Sequence, residues 1–173
     1  KTDPKRIVFA EADQLDVLKA AQIVYEEGIG HPILLGRKED ILELKEEIGF
    51  DADLPIYDPK TPEEDKRRLK YANHYWESRQ RRGISLLDAQ KLMRERNYFA
   101  AMMVNEGDAD AMVSGYSRNY PSVVKPLMHL IGKAPGISLI ATTNMMMTNR
   151  GPMFFSDTAI NPNPSADDLA KIA

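Results

Sequence analysis

The chain has 173 residues, of which 43% are hydrophobic and 28% are charged, a composition typical of globular proteins. Its net charge of -3 gives no reason to expect nucleic acid or an acidic membrane surface as a partner. No apolar run reaches the roughly 18 residues of a membrane span. The polar start lacks a signal peptide's apolar core, and no cysteine is present for disulfides or thiolate chemistry. We therefore expect a cytoplasmic protein.

Strand and helix patterns alternate along the first part of the chain. Short apolar runs typical of buried strands occupy residues 6–10, 32–36 and 55–58, and amphipathic stripes between them predict helices over 14–27 and 40–48. Strands and helices that alternate with short joints predict an α/β fold, in which helices flank a parallel sheet.

The pattern continues with several helices and a fourth strand. The strand covers residues 109–115, and we expect the last helix of the series to be interrupted near Pro126, because proline removes a helical N–H. The helices are predicted over residues 62–82, from 85 onward, over 97–106 and over 120–131.

The alternation of strand and helix patterns ends after residue 132. Strand-like runs over 137–147 and 153–158 surround a turn at 148–152, which predicts a hairpin, and a capping-box spacing at 165–168 predicts a final helix. A hairpin and one short helix cannot enclose a core. We therefore assign residues 1–134 to the N-terminal part of a first α/β domain, and residues 135–173 to the incomplete start of a second.

The exit of the fourth strand is the best candidate for a ligand site. In open α/β sheets, ligands bind beyond the carboxyl ends of the strands, where small residues leave backbone N–H groups accessible. Short donors and a guanidinium suited to phosphate or carboxylate follow this strand, at Ser114, Gly115, Ser117, Arg118 and Asn119. An ordinary polar surface loop is the alternative interpretation.

Two further cations are candidates for the same anion. Arg79 closes a predicted helix, where it could bind an anion or simply stabilise the carbonyl end of that helix. Lys125 could reach the pocket or remain a solvated helical lysine. Asp157 could orient a substrate or cap a turn. The histidines match no metal spacing, and no catalytic residue can be assigned within the chain.

Three segments together resemble the phosphate acetyl/butyryltransferase family: residues 5–11 (KRIVFAE), 107–115 (GDADAMVSG) and 155–173. The resemblance implies two α/β domains with a cleft for coenzyme A and acyl phosphate between them. It also implies that the first domain is completed by C-terminal sequence. The family's catalytic Ser-Arg pair and Asp would lie beyond Ala173.

The chain departs from the active transferases after the fourth strand. Where those enzymes carry Asp-Thr and then Arg-Pro, this chain has Ser122, Val123 and Lys125-Pro126, while Arg79 still matches an arginine that contacts phosphate or coenzyme A in the family. Lysine cannot reproduce the bidentate grip of arginine on phosphate. In these positions the chain resembles the transferase-like domain fused behind bacterial NADP-dependent malic enzymes.

The malic-enzyme resemblance implies a regulatory and oligomerisation module that binds acetyl-CoA or a related small anion as an effector. A malic enzyme domain in the same polypeptide would then use NADP and a divalent metal to decarboxylate malate to pyruvate, and the whole would be a homo-oligomer. The ligand would be bound by Arg79, Ser114, Gly115, Ser117, Arg118, Asn119 and Lys125.

Two alternatives remain beside this main hypothesis. The chain could be part of an active phosphate acetyltransferase, which transfers acetyl between coenzyme A and phosphate. It could instead be a structural element for oligomerisation that binds no ligand.

Overall fold

The computed structural model describes residues 3–157 and 159–173. The chain forms two compact units, Lys1–Ile131 and Gly132–Ala173. This division lies three residues before the predicted boundary at residues 134 and 135, and the assignment of domains stays a prediction. Thr158, the last residue of the second strand predicted for the hairpin, lies outside the described residues.

The first unit is built on a four-stranded sheet in the order β3-β2-β1-β4, with all paired strands parallel. β1 occupies the centre and pairs with β2 from Lys5 opposite Gly30, and with β4 from Ile7 opposite Ala111. This arrangement confirms the predicted α/β fold class. The strands are β1 (Lys5–Phe9), β2 (Gly30–Leu35), β3 (Ile56–Tyr57) and β4 (Ala111–Val113).

Helices connect these strands and cover both faces of the sheet. The predicted helix over 62–82 is divided: a 3-10 turn precedes it, and a second 3-10 turn leads to Gly83, whose φ of 83° suits glycine. The helices are α1 (Leu15–Glu26), α2 (Lys38–Glu47), α3 (Asp65–Arg79), α4 (Leu86–Leu92), α5 (Arg96–Asn105) and α6 (Tyr120–Leu130).

The sheet separates two hydrophobic cores, because successive side chains of a strand point to opposite faces. On β1, Phe9 packs with Leu18 of α1 and Ile41 of α2. Val8 points to the other face and joins the larger core, which contains Phe99 of α5 and residues of α3 and α4. The C-terminal ends of β1 and β4 are thereby held side by side.

The predicted interruption of α6 at Pro126 is wrong, since the helix continues to Leu130. Pro126 has no N–H to donate to the carbonyl of Ser122, four residues earlier, so that helical bond is lost. The Ser122 carbonyl accepts instead from Asn97 Nδ2 of α5, at 3.1 Å. A side chain from the neighbouring helix therefore supplies the missing donor.

The second unit contains a hairpin and a short helix. Strands β5 (Thr143–Thr148) and β6 (Gly151–Ser156) pair antiparallel around a two-residue turn, which confirms a hairpin. β5 begins six residues later than the run from residue 137 predicted. Helix α7 (Ala166–Ile172) begins with the capping box formed by Ser165 and Asp168.

Asp157 follows β6 and holds a turn. Its φ is 50°, and its Oδ2 accepts a hydrogen bond from the Asn161 amide at 3.1 Å.

Across residues 3–157 and 159–173, none of the helices combines the length and apolar character that a membrane crossing needs.

The larger core should dominate the stability of the first unit. Phe99 is fully buried between α5 and the sheet, so Phe99→Ala should lower the free energy of unfolding by about 3–5 kcal/mol, through lost burial and the cavity left behind. Urea denaturation followed by circular dichroism measures this change. Leu42→Ala is the control, since Leu42 is 48% exposed, and a comparable loss there would contradict the assignment of the core.

Candidate functional site

The carboxyl ends of β1 and β4 form the candidate site. The strand order runs to β2 and β3 on one side of β1 and to β4 on the other, so the chain changes direction across the sheet between β1 and β4. Such a point leaves a crevice beyond the strand ends where ligands bind in open α/β sheets. Glu11 follows β1 at this place, and Ser114 follows β4.

The Glu11 carboxylate organises the loop that follows β4. Its Oε1 accepts from the Gly115 amide at 2.9 Å and lies 3.2 Å from the Ser114 hydroxyl. Its Oε2 accepts from both the amide and the hydroxyl of Ser117, each at 2.6 Å. The side chain is 1% exposed, so these donors replace the water that the carboxylate loses on folding.

Burial and hydrogen bonding act in opposite directions on the Glu11 pKa. Burial, the largest single influence, raises the pKa because it disfavours the charged form. The donors of Ser117, Gly115 and Ser114 favour the carboxylate and together lower the pKa below its ordinary value. Glu11 is therefore a buried negative charge at neutral pH.

Gly115 has to be a glycine for the loop to reach Glu11. Its φ of 106° lies in a region that side-chain-bearing residues rarely adopt. This conformation turns the chain directly after β4, so that the amides of both Gly115 and Ser117 point to one carboxylate.

Four of the predicted ligand residues thus already form hydrogen bonds within the protein. Ser114, Gly115 and Ser117 donate to side chains of the unit, and Asn119 Oδ1 caps α6 by accepting from the Ser122 amide at 3.1 Å. Their roles as ligand contacts stay predictions. The site prediction missed Glu11, although its position at the end of a buried strand was a usable signal.

Arg118 and Lys125 line one cleft of about 180 Å³ beside this loop, and their role as ligand contacts stays a prediction. Neither side chain forms a hydrogen bond or ion pair with another described residue, whereas Arg96 in the same cleft is paired with Asp13. The polar residues that line the cleft are Glu11, Glu95, Arg96, Asn97, Arg118, Ser122 and Lys125.

Arg79 does not line this cleft. Its guanidinium donates to the carbonyl of His129 at 2.7 Å, at the C-terminal end of α6, where a cation is favourable. Arg79 thus stabilises the end of α6 and not, as predicted, the end of its own helix, and its role as a ligand contact stays a prediction. Burial and the charges of Arg79, Lys125 and Arg82 lower the pKa of His129.

Asn97 is a second residue that the site prediction missed. It is 8% exposed at the start of α5, and its Oδ1 accepts from the Ser114 hydroxyl at 2.6 Å. Its Nδ2 donates to the Ser122 carbonyl of α6. One amide therefore links the loop after β4 to the first turn of the helix that carries Lys125.

Removing the charge of Glu11 should destabilise the protein. In Glu11→Gln one acceptor oxygen is replaced by an NH₂ group that faces N–H donors, and we expect a loss of about 1.5–3 kcal/mol in the free energy of unfolding. Chemical denaturation at pH 7 measures it. Glu27→Gln is a matched control, because Glu27 is exposed after α1; an equal loss there would contradict the role of Glu11.

The contribution of Glu11 should depend on pH. Because folding lowers its pKa, the stability it adds is fully present above the unfolded value of 4.5 and is lost as pH falls through the lower folded value. The difference in unfolding free energy between the unaltered protein and Glu11→Gln should therefore shrink as acid is added. A difference that grows under acid conditions would contradict this assignment.

The comparisons with known proteins cover the whole chain. The family model described as phosphate acetyl/butaryl transferase matches residues 1–173. The phosphate acetyltransferase of Thermoanaerobacterium thermosaccharolyticum is 34% identical, over 100% of this chain and 53% of that protein. A phosphotransacetylase structure from Streptococcus pyogenes has a TM-score of 0.82 at 34% identity, covering 98% of this chain and 51% of that one. The NADP-dependent malic enzyme of Rhizobium meliloti is 34% identical over 100% of this chain and 23% of that protein.

These relatives correct the predicted function. The malic-enzyme module was the main hypothesis, and it is wrong: most relatives are phosphate acetyltransferases that match nearly the whole chain, and the solved neighbours are phosphotransacetylases. The chain spans about half the length of several of these curated relatives. The predicted family resemblance is confirmed, and the chain belongs to the phosphate acetyl/butaryl transferase family.

Proposed function

We propose that this chain is part of a phosphate acetyltransferase, which transfers an acetyl group between coenzyme A and phosphate. In the direction of acetyl phosphate, a phosphate oxygen attacks the thioester carbonyl, a C–O bond forms, the C–S bond breaks and coenzyme A leaves as a thiolate. Relatives that match this chain almost completely are phosphate acetyltransferases, and they support this reaction. Acetyl-CoA is then a substrate.

The cleft beside the β4 exit is the observation that carries the proposal. Of the three other charged residues in its lining, Glu11 is saturated by donors, Arg96 is paired with Asp13, and Glu95 is exposed. Arg118 and Lys125 have no such partner among the described residues, which leaves two exposed cations available in this cleft. Oxyanions of phosphate are the groups that such cations bind.

The two cations differ in what they can contribute. The planar guanidinium of Arg118 can donate two parallel hydrogen bonds to a phosphate, whereas the ammonium of Lys125 acts as a point charge with three donors. We propose that this chain supplies anion binding, and we assign no catalytic residue to it.

Phosphate affinity should depend on both residues. In the full-length protein, Arg118→Ala or Lys125→Ala should each raise the KM for phosphate by roughly 10- to 100-fold, the loss expected of one charge-assisted hydrogen bond. Lys125→Arg should keep or lower this KM, because arginine adds bidentate binding. The measurement is acetyl phosphate formation from acetyl-CoA at varied phosphate concentration.

Lys19→Ala is the matched control, since Lys19 is also an exposed helical lysine but lies on α1 and outside the cleft. It should leave the KM for phosphate unchanged. Lack of acetyl phosphate formation by the unaltered full-length protein would reject the proposed function. Normal phosphate dependence in both alanine variants would reject the cleft as the phosphate site.

A further inference from the structure

Two asparagine amides tie α5 to α6. Asn97, near the start of α5, donates from Nδ2 to the carbonyl of Ser122 at 3.1 Å, and Asn105, the last residue of α5, donates to the carbonyl of Leu130 at 3.0 Å. Both bonds join residues that are 25 positions apart, so the helices run side by side in the same direction. Only the first bond lies at the cleft.

The bond from Asn97 takes the place of a helical hydrogen bond that Pro126 cannot form. Pro126 cannot donate to the Ser122 carbonyl, so within α6 that carbonyl has no partner of the usual kind. Asn97 supplies the donor while its own Oδ1 accepts from Ser114. Both the oxygen and the nitrogen of this amide are therefore hydrogen-bonded, one to the loop after β4 and the other to α6.

The residues that Asn97 holds surround the two cations of the cleft. Arg118 lies on the segment between Ser114 and Ser122, both of which contact Asn97. Lys125 follows Ser122 by three positions on α6, a spacing that places two residues on the same helix face. Asn97 itself lines the cleft and is nearly buried.

From this geometry we infer that Asn97 is a positioning residue, which aligns Arg118 and Lys125 for the substrate phosphate through its bonds to Ser114 and Ser122. The inference rests on the proposed function of the cleft. Asn97 need not touch the substrate, because it acts on the loop after β4 and on α6, which carry the two cations. A small shift of either segment would weaken phosphate binding, since geometry at a reacting centre tolerates little displacement.

The test is a double-mutant cycle between Asn97 and Pro126 in the full-length protein. Asn97→Ala should raise the KM for phosphate about tenfold and change kcat by less than about threefold, because its bonds to Ser114 and Ser122 are both lost. Pro126→Ala restores an N–H that can donate to the Ser122 carbonyl within α6, but it does not renew the link to Ser114. In the Asn97→Ala background it should therefore leave the KM raised, whereas recovery to within about threefold of the original would mean that Asn97 only supplies a partner for that carbonyl.

Asn105→Ala is the matched control. It removes the same kind of bond between the same two helices, but at the end away from the cleft, so the KM for phosphate should stay unchanged. If Asn97→Ala does not fold, Asn97→Leu keeps about the size of the side chain and adds no charge to the cleft. It can neither donate to Ser122 nor accept from Ser114, and it should show the same rise in KM.

The outcomes separate this inference from the proposed function. Acetyl transfer by the unaltered protein, combined with an unchanged KM in Asn97→Ala, or with recovery of the KM in the double variant, would overturn the positioning role alone. An equal rise in Asn105→Ala would also overturn it, because the effect would then be one of helix packing. No acetyl transfer by the unaltered protein would overturn the proposed function and this inference with it.

Discussion

The candidate site depends on one desolvated negative charge at the end of the central strand. A buried carboxylate is costly unless hydrogen-bond donors replace its water, and the Glu11 donors all come from the turn after β4. The need to satisfy Glu11 therefore dictates the path of this turn, including the glycine at position 115. The position of Arg118 beside the cleft follows from that path.

The architecture was predictable because it depends on local periodicity. Alternating apolar runs and helical stripes were enough to predict a parallel sheet covered by helices, and the hairpin at the end of the chain. The partners of Glu11 were not predictable in this way, since Gly115 lies 104 positions away and their contact exists only once β1 and β4 are paired. The contact of Asn119 is of the opposite kind: it caps α6 through the nearby Ser122, and a capping residue resembles a ligand donor in sequence.

The functional interpretation gave too much weight to a few substitutions after the fourth strand, Lys125 among them. Lysine at position 125 lacks the planar fork of arginine, but it keeps the positive charge and the donors that phosphate binding requires. The similarity of the whole chain to phosphate acetyltransferases depends on many more positions than this one. It favours the alternative hypothesis, in which the chain is part of a phosphate acetyltransferase.

The paired amides on α5 also constrain how the chain can vary in length. Asn97 and Asn105 are eight residues apart, as are their partners Ser122 and Leu130, so the two helices share one register. A one-residue deletion within α5 would rotate every later side chain by about 100° and carry Asn105 off its partner. Insertions should therefore be tolerated in the surface loops around these helices and selected against inside them.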